Sequence, residues 1–143
     1  MGNSFRLFYE FMSSLWLRPE AAICILAEKS ISHGDIILEA IPIGGLRMID
    51  GDEADDKIIA VMKGDAIYEE WKDISDCSIR IIERLKHYFL TYKDIPGAGE
   101  KANCKITHTY GQEEALEVIR RSQEDYQIRF GDIEGMLTSA LRG

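Results

Sequence analysis

The chain has 143 residues, 45% hydrophobic and 29% charged, an ordinary composition for a soluble globular protein of one domain. Its formal net charge of −8 argues against a nucleic-acid binder, which needs a basic face. No apolar run approaches the roughly 18 residues of a membrane span.

Charge is unevenly spread: residues 1–33 hold three acidic and three basic residues, and residues 34–143 hold twenty-two and fourteen. Residues 5–17 (FRLFYEFMSSLWL) are dense in large apolar groups and suit a helix or a strand. Phe5, Phe8, Phe11 and Trp16 read as core or interface residues. Glu10 interrupts the run, so a signal peptide is not expected. AAICILA (21–27) reads as a buried strand, and His33-Gly34-Asp35 as a turn. A strand is predicted at 36–43, a bend or bulge at Gly44-Gly45, and a second strand at 46–49. An acidic turn follows, then a strand at 57–63, so the two flanking strands make a hairpin.

Residues 64–78 read as an irregular surface segment anchored by Ile67, Tyr68, Trp71 and Ile74. Ile79 to Lys93 is the clearest helix, with Ile81 or Ile82, Leu85, Tyr88 or Phe89 and Tyr92 on one stripe, and Ser78 as its N-cap. Pro96, Gly97 and Gly99 make a loop. A short strand is predicted at 102–109 and a helix over Gln112–Phe130, with Ala115, Val118, Ile119 and Tyr126 on one face. Beyond Gly131, apolar residues at helical spacing suit either a short further helix or a frayed end. Cys24, Cys77 and Cys104 are widely spaced and odd in number, so reduced thiols in a cytoplasmic protein are expected.

The acidic turn carries the chemistry. Asp50, Asp52, Glu53, Asp55 and Asp56 place five carboxylates within seven positions, closed by Lys57. Such charges repel one another unless water, a cation or a basic partner screens them. Charge alone reads as a solvated hairpin tip. Oxygen donors without Cys or His suit a hard ion such as Mg2+ better than zinc.

The arrangement is more particular than charge. P-I-G-x-L-x-M-I precedes D-x4-D-x-K, formed by Asp50, Asp55 and Lys57. This segment resembles the family I (soluble) inorganic pyrophosphatases. YEEWKDISD (68–76), HYFLTYKD (87–94) and the closing strand with EEALEVIRRSQEDY extend the resemblance over about residues 34–130. It implies a mainly β fold with α, an OB-type β-barrel, here N-terminally incomplete, with two flanking helices and a single domain over 1–143. It implies Mg2+-dependent hydrolysis of pyrophosphate to two phosphates, with Asp50 and Asp55 holding Mg2+. Lys57, Tyr92 and Lys93 would bind phosphate, the ammonium groups as point charges and the phenol as a donor. A homo-oligomer is compatible with it. His87 and His108 have no ligand spacing, and Asp52, Glu53 and Asp56 fall at variable positions where solvation is expected.

The resemblance breaks at one motif. Such pyrophosphatases carry D-x-D-P-x-D before the strand that precedes P-I-G, and the counterpart here is LWLRPEAAICIL (15–26). With Pro19 at the motif's proline, Trp16, Arg18 and Ala21 stand where aspartates belong, and Glu20 is the remaining carboxylate. A guanidinium there reverses the charge. Earlier strands supplying a Glu, a Lys, a second Glu and an Arg have no counterpart, so the sheet is expected to show an open edge. The alternative reading is a diverged relative that binds Mg2+ or phosphate weakly, or serves as an oligomer subunit, without catalysis.

Overall fold

The longest strand, β3 (Ile37–Asp50), is the spine of the molecule. The computed structural model describes residues 5–8, 21–29, 37–92, 94 and 103–141. In chain order the other elements are β1 (Phe5–Phe8), β2 (Ala21–Leu26), β4 (Glu53–Ala54), β5 (Asp56–Met62), a short 3-10 helix (Ile74–Asp76), α1 (Ile79–Thr91), β6 (Cys104–Gly111) and α2 (Gln112–Leu141). Antiparallel partners β1, β5, β6 and β4 line successive parts of β3, and β2 adds to the far side of β5 in parallel. Among the described residues this sheet is mixed and does not close into a barrel.

The irregularity expected at Gly44-Gly45 is a bulge-like register shift, and it lies inside one continuous strand rather than between two. Pairing of β3 with β5 slips between Pro42 and Gly44. Pro42 has no N–H to give a ladder, which is why strand prolines collect at bulges. Gly44 is required by close packing: a Cβ there would lie 2.5 Å from the Tyr110 backbone oxygen and 2.7 Å from the Ile74 Cβ.

Side-chain alternation along β5 sorts the core into two layers. Ile59 and Val61 join Ile43, Leu46, Ile74, Cys77 and Ile82 beneath α1, with Leu85 and Phe89 half-buried against them. Ile58 joins Tyr110, Ala115 and Ile119 beneath α2. Each such aliphatic side chain contributes about 1.5–3 kcal/mol on leaving water, which is what keeps both helices on the sheet.

The helices differ from expectation at their ends. α1 stops at Thr91, and Tyr92 caps it, its N–H donating to the Tyr88 carbonyl at 2.9 Å. Ser78 precedes it without a side-chain cap bond. β6 runs two residues later than predicted, to Gly111. α2 continues through Gly131 as one 30-residue helix rather than ending near Phe130. Extending an existing helix adds a bond per residue, so Gly131 and Gly135, each costing about 1 kcal/mol relative to Ala, do not stop it. The irregular segment 64–78 is tied down by two aspartates. Asp65 accepts from the N–H groups of Glu28, Ile67 and Tyr68. Asp73 accepts from Ser75 N at 3.0 Å and Gln112 N at 2.8 Å, so it caps both the 3-10 helix and α2.

Candidate functional site

The predicted hairpin tip is a two-residue turn. Asp50 pairs with Glu53, and Gly51 between them has φ +66°, a left-handed backbone that glycine adopts without strain. Gly51 N donates to the Asn103 carbonyl at 3.0 Å and Asp55 N to the Met48 carbonyl at 2.9 Å, which anchors the turn on both sides. Asp52 and Glu53 are exposed, as expected for a solvated tip.

Alternation then places Leu46, Met48 and Asp50 of β3 on the face that carries Lys57, and the Lys57 contact brings Asp55 to the same side. Lys57 is 4% exposed, and its Nζ donates to Asp55 Oδ1. A buried ammonium needs such a partner, because an unpaired charge away from water is costly. Lys57 Nζ also lies 5.8 Å from the Phe89 ring centroid. Tyr92, at the end of α1, is half-exposed and stacks on Tyr88 with centroids 5.4 Å apart.

These elements border one open cleft of about 800 Å³ around the end of the sheet. Asp50, Asp55, Lys57 and Tyr92 all line it. Four of the five predicted site residues therefore meet in one place. The fifth, Lys93, lies outside the described residues, as do Glu20 and the other residues opposite the first part of the D-x-D-P-x-D motif.

Asp56 departs from expectation. It is 6% exposed rather than solvated. It points to the α2 face, where it and Arg47 border the same cleft; Arg47 Nε lies 3.0 Å from its Oδ1 and Arg47 Nη2 donates to Glu114 Oε1 at 2.8 Å. His108 Nε2 lies 3.5 Å from the same Glu114 oxygen. Burial pushes the Asp56 carboxyl above its usual range, against the pull of Arg47, the Met48 N–H and the Tyr110 hydroxyl. Burial, with the Asp56 charge beside it, raises the Tyr110 phenol as well. The second wall of the cleft, with Arg121, Ser122, Asp125 and Arg129 of α2, was also not foreseen. One signal existed for Arg47: a charge in the middle of an otherwise apolar strand needs a buried partner.

Chemically, the cleft offers carboxylate oxygens beside an ammonium and a phenol. Mg2+ is commonly held by one or two carboxylates together with substrate phosphates. Asp50 and Asp55 on one wall fit that mode. Among the described residues no three Asp, Glu, His or Cys side chains gather as a metal cluster. Ala22 of β2 pairs with Lys57 and lines the cleft, so the neighbouring strand brings a methyl group there.

The family model for inorganic pyrophosphatase matches residues 20–127. An inorganic pyrophosphatase of Chlamydia caviae is 50% identical over 111 residues, covering 76% of this chain and 51% of its own length. The solved inorganic pyrophosphatase of Neisseria gonorrhoeae superposes with a TM-score of 0.63 at 32% identity, covering 73% of this chain and 59% of that one. That of Thermus thermophilus gives 0.64 at 27% identity over 72% and 58%. The chain thus spans about half the length of the chlamydial relative.

Proposed function

The chain belongs to the inorganic pyrophosphatase family, and from that premise we propose that it hydrolyses inorganic pyrophosphate to two phosphates with Mg2+. The observation that supports this reading is the meeting of Asp50, Asp55, Lys57 and Tyr92 in one cleft. Asp50 and Asp55 would hold the cation, which when bound neutralises charge developing on phosphate oxygens. Lys57 supplies a fixed positive charge, paired at rest with Asp55. Pairing keeps the ammonium buried and oriented before an anion arrives, so little reorganisation is needed. The Tyr92 hydroxyl donates to a phosphate oxygen, and Lys93, next in sequence, adds a second ammonium. Phe89 beneath Lys57 excludes water on one side and strengthens the electrostatics. Free Cys24, Cys77 and Cys104 support a reducing, cytoplasmic setting.

Phosphate release from Mg2+-pyrophosphate by the purified chain tests the proposal. Turnover that Asp50→Ala and Asp55→Ala each abolish is expected; no release above background at any Mg2+ concentration overturns it. A second reading, a binder of Mg2+ or phosphate without turnover, draws on Ala22 at the strand position beside Lys57. It predicts calorimetric Mg2+ binding in a protein that releases no phosphate.

A further inference from the structure

Asp55 and Asp56 are adjacent carboxylates, Asp55 just before β5 and Asp56 its first residue. In a strand they face opposite sides, and a one-residue slip would exchange them. Asp56 is held on the α2 face by a cross-strand cluster. Arg47 on β3 spans two carboxylates, Asp56 at 3.0 Å and Glu114 at 2.8 Å. Tyr110 on β6 lies over Gly45, where a Cβ would sit 2.5 Å from its ring and hydroxyl. The Arg47 guanidinium is 5.5 Å from the Tyr110 ring centroid. Arg47 Nε, Asp56 Oδ1 and Tyr110 Oη are buried together, with the Asp56 carboxylate facing both the guanidinium and the phenol.

We propose that Arg47, Asp56 and Tyr110 form a positioning clamp that holds β5 in the one register in which Asp55 and Lys57 face the cleft beside Tyr92. The clamp rests on the reading of Asp55 and Lys57 as the metal- and phosphate-facing pair. Its members act through that pair, as outer groups orient metal ligands. Gly45 belongs to the same device, because it leaves the space that the Tyr110 ring fills. Two adjacent aspartates are thereby given different duties, one held and one presented.

The test uses the full chain and two readouts besides turnover. One is the proton–nitrogen NMR signal of the Lys57 ammonium, visible while that group is buried and held. The other is Mn2+ binding followed by electron paramagnetic resonance. Wild-type protein is expected to show the ammonium signal, and Asp55→Asn to lose it. Asp56→Asn and Arg47→Met are expected to lose or broaden it with helix content unchanged, and to weaken Mn2+ binding about tenfold or more. An unchanged signal and unchanged Mn2+ affinity in these variants, once folded, overturn the clamp. Should Arg47→Met not fold, Tyr110→Phe decides, since it removes a single hydroxyl. A loss of about threefold in Mn2+ affinity supports the clamp, and no change counts against it. Hydrolysis is scored separately. A wild type that releases no phosphate but whose Lys57 signal depends on Asp56 sinks the proposed activity and keeps the clamp. A wild type that turns over with a Lys57 signal indifferent to Asp56 does the reverse.

Discussion

The two faces of β5 carry charge in opposite ways. Toward α1, Lys57 is the buried member and its partner Asp55 keeps 24% of its side chain in water. Toward α2, Asp56 is the buried member and its partner Arg47 keeps 31% exposed. One face therefore presents a carboxylate at the cleft with a hidden cation behind it. The other hides a carboxylate and ties it to two further strands and a helix. A charge left partly in water remains available to a ligand, whereas a charge taken out of water serves mainly to hold its neighbours. Both faces border the cleft, Asp55 and Lys57 from one side and Arg47 and Asp56 from the other, but the carboxylate left partly in water is Asp55 and the one held by its neighbours is Asp56.

Four experiments can break or sharpen that division. Arg47→Met leaves Asp56 buried without its cation and should cost about 4 kcal/mol in urea unfolding; a loss below about 1 kcal/mol would mean that water reaches Asp56 and that its neighbours do not hold it. Lys57→Met should instead strike function, lowering pyrophosphate turnover about a hundredfold. Its unfolding midpoint should move less than that of Arg47→Met, because Asp55 can turn to solvent.

The adjacent glycines separate the faces more finely. A Cβ at Gly44 meets the Tyr110 backbone and Ile74, which cannot move without shifting β6. A Cβ at Gly45 meets only the Tyr110 ring, which can turn aside. Gly44→Ala is therefore expected to cost about 3 kcal/mol and Gly45→Ala about 1–2 kcal/mol by thermal or urea unfolding. The reverse order would place the rigid contact on the α2 face.

The smallest effect concerns Asp73. The Gln112 N–H first, and then the Ser75 N–H, hold its carboxyl below the usual range. A lowered carboxyl contributes stability that is present above the unfolded pKa and lost as pH falls through the folded one. Asp73→Asn should cost about 1 kcal/mol at pH 7. The gap to wild type should close as the medium is acidified below about pH 4, which unfolding curves at stepped pH would show.

Much of this was legible in the chain itself. The strand–turn–strand around Asp50 to Lys57 announced itself by Gly51, by alternation and by the ordered D-x4-D-x-K spacing. The α1 stripe announced itself by its three- and four-residue steps. Charge alone did not separate Asp55 from Asp56, because adjacent acids in a charged turn carry the same local signal; the D-x4-D-x-K spacing singled out Asp55 but left Asp56 as a solvated residue. Their sorting depends on Arg47, nine positions away, and on Tyr110, from another strand. The end of α2 was missed because Gly131 weakens a helix locally, whereas a helix already under way extends past it.

The amino-acid sequence by itself determined which residues can serve as ligands and donors, and that Asp50, Asp55 and Lys57 lie within reach along one hairpin. By resemblance it also led to the expectation that Trp16, Arg18 and Ala21 stand opposite the aspartates of D-x-D-P-x-D. Spacing and side-chain chemistry are local properties. Only the tertiary structure decided that Tyr92 closes on the same cleft, that Ala22 flanks Lys57, and that Asp56 is buried while Asp55 is presented. Those outcomes follow from strand pairing and burial, which set the cost of each charge by what lies across from it.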